Sequence, residues 1–277
     1  MSCETTCTSC ALRPQLNQLG LKVGEHERVV ALAGNPNTGK STIFNALTGL
    51  RQHTGNWPGK TVTRAEGGFR FDGVAYKLVD LPGTYSLLSA SVDEEVARDF
   101  ILFGRPDCTV VVVDANALQR NLNLALQVLE ITDRVVVCVN LMDEAERKGL
   151  QVDFEYLSRE LGVPVVGTAA RRRRGLEELL QVIADVSSGA VITQVSPHPT
   201  PAALREVVDE LLPLIEEAAP GLPNARWVAY RLIEGDHRLR GAIESGELAE
   251  MAASSSSRVS ERIANRVVQL TVERELA

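Results

Sequence analysis

The sequence predicts an α/β fold with a mostly parallel sheet, one antiparallel hairpin and helices on both faces, followed by a small all-helical domain. Strand-like and helix-like patterns alternate through about residue 187. A glycine-rich pattern, G-x-x-x-x-G-K-[ST], occupies 34–41 between the first strand and the first helix. From Pro197 onward the strand signals stop, and apolar residues recur at helical spacing.

Each predicted element rests on a local pattern. Residues 28–33 form a short apolar run that indicates a buried strand. Asp72-Gly73 separates the strand-like runs 68–71 and 74–79, which predicts an antiparallel hairpin. Three β-branched runs are typical of parallel strands covered on both faces: 108–114, 135–140 and 163–168. The intervening helical patterns are 93–103, 118–131, 153–161 and 176–185.

The chain divides by pattern into three parts. Residues 1–25 form an extension without clear periodicity, 26–188 carry the α/β pattern, and 189–277 carry the helical one. The break near 187–200 is rich in serine, glycine and proline, as expected of a seam between domains. The helical candidates beyond it are 204–215, 225–234, 247–253 and 258–276.

Composition limits the class of protein. The 277 residues are 44% hydrophobic and 23% charged, which suits a globular core. The formal net charge of -7 argues against nucleic acid as a partner, because that role usually needs a basic face. No apolar run approaches the ~20 residues that cross a bilayer, and the N-terminus lacks a signal-peptide pattern. We therefore expect this portion to be soluble and cytoplasmic.

Five cysteines fall into two groups. Cys108 and Cys138 lie in apolar runs and are expected to be buried, reduced core residues. Cys3, Cys7 and Cys10 have the spacing C-x3-C-x2-C, which is compatible with a metal or iron–sulfur ligand set. The alternative is a terminal tail whose cysteines have no structural role.

The glycine-rich pattern predicts a phosphate-binding loop. Its backbone N–H groups and the following helix N-terminus attract anions. Lys40 is expected to reach the β- and γ-phosphates, and the Ser41 hydroxyl is expected to bind Mg²⁺. The residues expected to surround the phosphates are Gly34, Asn35, Pro36, Asn37, Thr38, Gly39, Lys40, Ser41 and Thr42.

Three further segments indicate guanine rather than adenine nucleotide. Asp80-Leu81-Pro82-Gly83 offers a carboxylate for Mg²⁺ and a glycine N–H for the γ-phosphate. Asn140-Leu141-Met142-Asp143 offers a carboxylate that accepts the paired N–H donors of guanine, which adenine lacks. Thr168-Ala169-Ala170 offers backbone N–H groups for the guanine O6. Each segment ends a predicted strand, the edge at which α/β sheets bind ligands, so together they predict a Ras-like P-loop GTPase.

The long polar loop at 50–68 is expected to supply the first switch, with Thr61 and Thr63 as candidates for a threonine that binds Mg²⁺ and the γ-phosphate. This loop contains Gly55-Asn56-Trp57-Pro58-Gly59-Lys60-Thr61-Val62. With the phosphate-binding loop and Asp80-Leu81-Pro82-Gly83-Thr84-Tyr85-Ser86, it resembles the cytosolic N-terminal G domain of the ferrous-iron transport protein B (FeoB) family. The resemblance spans about 27–277, since residues 226–236 are similar to that family's helical, dissociation-inhibitor-like domain.

The resemblance implies a slow GTPase that uses GTP, GDP and Mg²⁺ and regulates Fe²⁺ uptake at the cytoplasmic face of the bacterial inner membrane. Its partner would be the membrane permease portion of the same transporter, which this sequence does not contain; self-association is left open. The resemblance selects Thr61, so that the Mg²⁺ ligands would be Ser41, Thr61 and Asp80. The residues expected to act in catalysis are Asn37, Lys40, Thr61 and Gly83.

Thr84 occupies the position after Gly83 where many GTPases have a water-orienting glutamine. Asn37 resembles the potassium-ligating asparagine of cation-activated GTPases, which implies a K⁺ held by Asn37 and the carbonyls of Gly55 and Trp57. The alternative for Asn37 is a loop residue that caps its own backbone. Ala169-Ala170 stands where many relatives have Ser-Ala, which puts the affinity for GDP in question.

Other interpretations remain open from sequence. One is a soluble GTPase of ribosome or tRNA biology, which would need a basic module that is not evident here. A second is a nucleotide sensor with negligible turnover. A third is an iron-binding regulatory domain that depends on Cys3, Cys7 and Cys10. The basic run at 171–174 is interpreted as a solvated face rather than a lipid contact.

Overall fold

The computed structural model describes residues 13–24, 26–49, 52–88, 91–191, 193–194 and 201–252. The chain divides into two compact units, Met1–Ser196 and Pro197–Ala277. Cys3, Cys7, Cys10 and the helix predicted at 258–276 lie outside the described residues.

The first unit is built on a seven-stranded sheet in the order β2-β3-β4-β1-β5-β6-β7. β4, β1, β5, β6 and β7 are parallel, whereas β2 and β3 add two antiparallel pairings at one edge. The hairpin predicted at Asp72-Gly73 joins β3 to β4. The predicted fold class is confirmed. The strands are β1 Glu27–Gly34, β2 Gln52–Asn56, β3 Thr63–Phe71, β4 Val74–Asp80, β5 Cys108–Asp114, β6 Val135–Asn140 and β7 Val165–Gly167.

Helices connect the parallel strands, and several begin at side-chain caps. The Ser91 hydroxyl accepts a hydrogen bond from the Glu94 N–H, and the Asp153 carboxylate accepts one from the Tyr156 N–H. The helices of this unit are α1 Arg13–Gln18, α2 Lys40–Thr48, α3 Val92–Gly104, α4 Leu118–Ile131, α5 Met142–Arg147, α6 Phe154–Leu161 and α7 Leu176–Ser188.

The core lies along the central strands. Every residue of β5 except Asp114 is buried, as is all of β6, which agrees with the prediction from their β-branched runs. Cys108 and Cys138 are free, buried thiols in this core. Burial raises the pKa of the Cys138 thiol to about 12 and the pKa of Cys108 further, so both stay neutral at physiological pH.

The second unit is helical over its described part. Its helices are α8 Ala202–Ala218, α9 Ala225–Ile233, α10 His237–Glu244 and α11 Glu247–Ala252. Trp227 and Leu232 are buried, so both pack in the interior of this unit. α10 is short and was not predicted. Within the described ranges, no helix has both the length and the apolar content that crossing a membrane requires.

Candidate functional site

The predicted phosphate-binding loop lies between the end of β1 and the start of α2. Gly39 precedes α2 with φ of 83°, and a Cβ added there would lie 2.3 Å from the Asn140 side-chain nitrogen. Both facts require glycine at this position. Asn37 is exposed and also adopts a positive φ, 67°. Asn35 is only 2% exposed, and the nitrogen and oxygen of its side-chain amide have no hydrogen-bond partner among the described residues.

Lys40 and Asp80 meet beside this loop. The parallel pairing of β1 with β4 places Leu32 opposite Asp80. The Lys40 ammonium forms an ion pair with the Asp80 carboxylate and donates a hydrogen bond to the Leu81 carbonyl, at 2.5 Å. Burial raises the pKa of Asp80, and the Lys40 charge opposes that rise. A cation and a carboxylate are thus held together at the start of α2.

Gly83 lies against the phosphate-binding loop. A Cβ built on Gly83 would be 3.5 Å from both the nitrogen and the Cα of Pro36, which is ordinary contact. Thr84, at the usual glutamine position, is buried at 5% exposure, whereas Tyr85 is 48% exposed beneath the Arg120 guanidinium. The Asp80–Gly83 segment therefore reaches the loop, and Ser41 is exposed at the second position of α2.

Asn140 connects two of the predicted loops. Its side-chain nitrogen donates to the Thr38 carbonyl at 2.9 Å. Its side-chain oxygen accepts from the Thr168 hydroxyl at 3.1 Å and from the Ala170 N–H at 3.2 Å. This one buried side chain fixes the phosphate-binding loop relative to the loop after β7. The spacing N-x-x-D indicated a nucleotide contact, but it contained no signal for this bridge.

Met142 and Asp143 begin α5 next to the same loop, because the Met142 N–H donates to the Thr168 carbonyl at 3.1 Å. The Asp143 carboxylate forms an ion pair with the Nε of Arg172 at 3.1 Å. Arg172 belongs to the basic run 171–174, for which the sequence predicts a solvated face, and it is 62% exposed. This run lies next to Asn140-Leu141-Met142-Asp143 only in the tertiary structure. The sequence does not predict the contact, because the two segments are far apart in the chain.

The backbone N–H groups of 168–170 are already used within the fold. Thr168 donates to the Val139 carbonyl at 2.8 Å, Ala169 to the Arg174 carbonyl at 3.0 Å, and Ala170 to Asn140. A contact from Ala169 or Ala170 to a guanine O6 would share or replace these bonds.

The predicted first-switch residues have contacts of their own. Gly55 is part of β2, the edge strand, and its backbone position pairs with Arg64 of β3. The Trp57 carbonyl accepts a hydrogen bond from the Lys60 N–H at 3.0 Å, and Thr61 is exposed. Among the described residues, no hydrogen bond or ion pair joins 52–62 to 34–41. Direct contacts thus join Lys40 to Asp80, and Asn140 to the loops at Thr38 and Thr168. Within the described part of the chain, Gly55, Trp57 and Thr61 have no hydrogen bond or ion pair to the phosphate-binding loop.

A phosphate-binding loop, an Asp-x-x-Gly segment and an Asn-x-x-Asp segment at the carboxyl edge of one sheet define a P-loop nucleotide-binding domain of the G-protein type. The family model described as "Ferrous iron transport protein B" matches residues 28–183, more than half of the chain, and the model of the "FeoB cytosolic helical domain" matches residues 201–274. The chain belongs to the ferrous iron transport protein B family.

Known relatives agree. The Fe(2+) transporter FeoB of Salmonella typhimurium is 40% identical over 238 residues, which cover 84% of this chain and 30% of the relative. That of Escherichia coli K12 is 41% identical over 211 residues, covering 75% of this chain and 27% of the relative. The chain therefore spans less than a third of the length of these curated relatives.

Solved structures show the same architecture. An NFeoB mutant of S. thermophilus bound to GDP has a TM-score of 0.72 and 30% identity, covering 90% of each chain. The cytosolic domain of T. maritima FeoB in its apo form has a TM-score of 0.71 and 32% identity, covering 90% of this chain and 97% of that one. The G domain of T. maritima FeoB alone has 43% identity and a TM-score of 0.56, covering 58% of this chain and 99% of that one.

Proposed function

We propose that this chain binds GDP and GTP, hydrolyses GTP slowly, and thereby regulates a ferrous-iron transporter at the cytoplasmic face of the bacterial inner membrane. The observation that carries the proposal is the bridge formed by Asn140, which fixes the phosphate-binding loop and the predicted base-binding loop in one arrangement. The permease portion of the same transporter is the expected partner, since the curated relatives named as Fe(2+) transporters are more than three times as long as the matched region.

Magnesium nucleotide suits the Lys40–Asp80 pair. An incoming phosphate would take the ammonium as its partner, and the released carboxylate would face Mg²⁺, directly or through water. This exchange of partners would offset the cost of separating the ion pair. Mg²⁺ would then replace the Lys40 charge as the cation that favours ionisation of Asp80 against its burial. Ser41, and Thr61 after the first switch moves, would complete the Mg²⁺ ligands. Mg²⁺ neutralises charge on the β- and γ-phosphates.

Guanine selectivity would come from Asp143. Its carboxylate accepts two N–H donors, which match guanine N1 and N2. Replacing it by asparagine introduces a donor, which suits xanthine because xanthine has a carbonyl in place of the guanine amino group. We expect Asp143→Asn to weaken GDP binding by about 10- to 100-fold, since hydrogen bonds to charged groups contribute about 1.5–3 kcal/mol. We expect xanthosine diphosphate to bind this variant better than GDP does.

Isothermal titration with GDP, xanthosine diphosphate and ADP measures this selectivity. Arg172→Ala is the matched control, because it breaks the ion pair to Asp143 but leaves the carboxylate. Because the Arg172 side chain is 62% exposed, its ion pair is worth about 0–1 kcal/mol, so GDP affinity should change less than about fivefold in this control. Binding of ADP in preference to GDP by the unmodified protein would refute the proposed function.

The proposed chemistry lacks a glutamine after Gly83, so some other group must stabilise the charge that develops between the β- and γ-phosphates. We propose K⁺ in this role, held by Asn37 and, after rearrangement of the first switch, by the carbonyls of Gly55 and Trp57. The Trp57 carbonyl already accepts a hydrogen bond from the Lys60 N–H, so K⁺ would share this oxygen with that donor or replace it. Such reordering between nucleotide states is the usual behaviour of GTPase switches.

Single-turnover GTP hydrolysis in KCl and in NaCl tests the role of K⁺. We expect K⁺ to accelerate the unmodified protein, on the order of 10-fold or more for one preorganised electrostatic contact. Asn37→Asp keeps an oxygen ligand and tolerates the positive φ, so it should retain stimulation; Asn37→Gly also tolerates that φ but lacks the ligand, so it should lose it. Equal rates in both salts would exclude K⁺, and no hydrolysis in either would favour a nucleotide sensor.

A further inference from the structure

Residues 13–24, here named the N-terminal arm, precede residue 28, where the matched family region begins. The arm consists of α1 and the turn that ends it. The Leu21 N–H donates to the Leu16 carbonyl at 2.8 Å and the Gly20 N–H donates to the Asn17 carbonyl at 2.9 Å, with Gly20 at φ of 77°. This pattern is a Schellman helix end, so the arm has a defined local structure.

The arm packs on the carboxyl end of α3. Leu16 and Leu21 are buried at 1% and 0% exposure. A Cβ added to Gly104 of α3 would lie 3.2 Å from a methyl carbon of Leu19 and 3.4 Å from one of Leu16. The side chains of Leu16 and Leu19 therefore lie directly on the α3 backbone at Gly104. This apolar burial anchors the arm.

The same arm contacts the end of the first switch. The Arg64 guanidinium donates a hydrogen bond to the Leu19 carbonyl at 2.9 Å. A Cβ added to Gly20 would lie 2.6 Å from that guanidinium and 2.8 Å from a ring carbon of Pro58. Arg64 and Pro58 therefore lie against the backbone of the turn after α1, so close to Gly20 that a side chain at this position has no room.

Arg64 extends this contact to Trp57. Its guanidinium lies 5.4 Å from the centre of the Trp57 ring, within the range of a cation–π interaction. The Trp57 ring is 3% exposed and meets Phe100 of α3 edge to face, with 5.4 Å between ring centres. Lys60 forms a further ion pair with Glu95 of α3 at 2.8 Å. Both ends of the segment 57–64 are therefore held on α3 and the arm.

Thr61 lies between these two held ends. The pairing of β3 with β4 places Ala65 opposite Asp80. Thr61 is four residues earlier, and at about 3.3–3.6 Å per residue the chain between them spans at most ~14 Å. Thr61 can therefore approach an ion bound at Asp80 by a change confined to this segment, provided that the contacts of Trp57, Lys60 and Arg64 release it.

We propose that Arg64, held by the N-terminal arm, is a positioning residue that keeps the first switch on α3 and Thr61 away from the nucleotide. This inference rests on the proposed function for its effect on GTP. A ligand that needs Thr61 binds only the released state, so its apparent affinity is the intrinsic affinity multiplied by the fraction of molecules that are released. GDP has no γ-phosphate for Thr61 to contact, so its affinity is independent of that fraction.

The test uses Trp57 as a reporter. The chain has two tryptophans, so Trp227→Phe leaves Trp57 as the only one. In that background Gly20→Ala places a side chain at a backbone φ of 77°, which is strained for alanine. Its Cβ also clashes with Arg64 and Pro58. Gly73→Ala is the matched control: its φ is 75° but its added Cβ has nothing within 4 Å. Arg64→Ala is a second test variant, with the exposed Arg70→Ala on the same strand as its control.

Two measurements are made on each variant of the 277-residue chain. They are acrylamide quenching of Trp57 without nucleotide, and affinities for GDP and a non-hydrolysable GTP analogue with Mg²⁺. We expect Gly20→Ala and Arg64→Ala to raise the quenching constant about twofold or more and to raise affinity for the analogue about 3- to 10-fold. GDP affinity should stay within about twofold, and both controls should match the parent.

Unchanged quenching in both test variants would show that the arm does not hold the switch, and this readout needs no nucleotide. Increased quenching with equal changes in GDP and analogue affinity would show that the held state does not control Thr61, and would overturn the inference. Absence of binding by GDP and the analogue in the parent protein would instead refute the proposed function, and with it the role assigned to Thr61.

Discussion

At the scale of single residues, the Asn140 side chain makes three hydrogen bonds in the candidate site. It is 1% exposed and its amide serves three partners that lie in two different loops. Both polar ends of the side chain are used, the nitrogen as a donor and the oxygen as an acceptor. The motif spacing predicted that Asn140 belongs to the site. It did not predict the bond to Thr38, because 102 positions separate these residues.

We expect Asn140→Ala to lower the free energy of unfolding of the nucleotide-free protein by about 1–3 kcal/mol per buried group that stays unsatisfied. Asn140→Asp should be at least as harmful, because a carboxylate retains the acceptor but faces the Thr38 carbonyl with an oxygen. Urea denaturation followed by circular dichroism measures the change. Asn123→Ala, an exposed asparagine of α4, is the control. Equal midpoints for Asn140→Ala and Asn123→Ala would contradict this role.

At the scale of elements, the parallel strands and most of their helices follow from periodicity, whereas α1 and β2 were missed. β2 contains Gln52-His53-Thr54-Gly55-Asn56, a polar sequence with little intrinsic strand preference. It is a strand because β3 offers an edge for pairing, which is a tertiary cause. The start of β1 likewise depends on a distant group: the Asp107 carboxylate accepts a hydrogen bond from the Val29 N–H at 2.8 Å.

Asp107 makes the stability of this element depend on pH. Burial raises the pKa of Asp107 above its ordinary value of 3.8, with opposing contributions from the Val29 N–H, Arg134 and Arg28. The folded state therefore binds more protons than the unfolded state just above pH 3.8, so this group's contribution to stability falls as pH rises through the raised pKa. Asp107→Asn keeps an acceptor for Val29 but cannot ionise.

We therefore expect the free energy of unfolding of Asp107→Asn, minus that of the parent, to increase from about pH 4 towards pH 7. Guanidinium denaturation at pH 4, 5, 6 and 7 measures the difference. Asp133→Asn, an exposed aspartate, serves as the control. A difference that falls over this range would show that the hydrogen bond and the arginines outweigh burial.

At the scale of the whole molecule, two compact units share the chain. The sequence predicted the change from α/β to helical at 188/189, whereas the contacts divide the chain after 196. Residues beyond α7 still belong to the first unit: the Gln194 N–H donates to the Gly162 carbonyl at 2.8 Å, and the Ala190 N–H donates to the Asp185 carbonyl at 2.9 Å.

We expect a chain ending at Ser196 to unfold at higher denaturant concentration than one ending at Ser188. Each lost hydrogen bond contributes about 0.5–1.5 kcal/mol, and the shorter chain also lacks Gly189, which ends α7. Both chains should bind GDP with similar affinity, because the predicted nucleotide residues all precede 171. Urea midpoints and GDP titration measure the two effects. Equal midpoints would place the boundary at 188/189.

The sequence by itself determined the parallel strands, the hairpin, the phosphate-binding loop and the family, because these depend on periodicity and on short motifs whose parts are neighbours in the chain. Only the tertiary structure decided that Asn140 bridges two loops, that Arg172 pairs with Asp143, and that residues ahead of the matched region hold Arg64. These contacts join residues far apart in sequence. Their distances follow from how strands and helices pack, which no local pattern encodes.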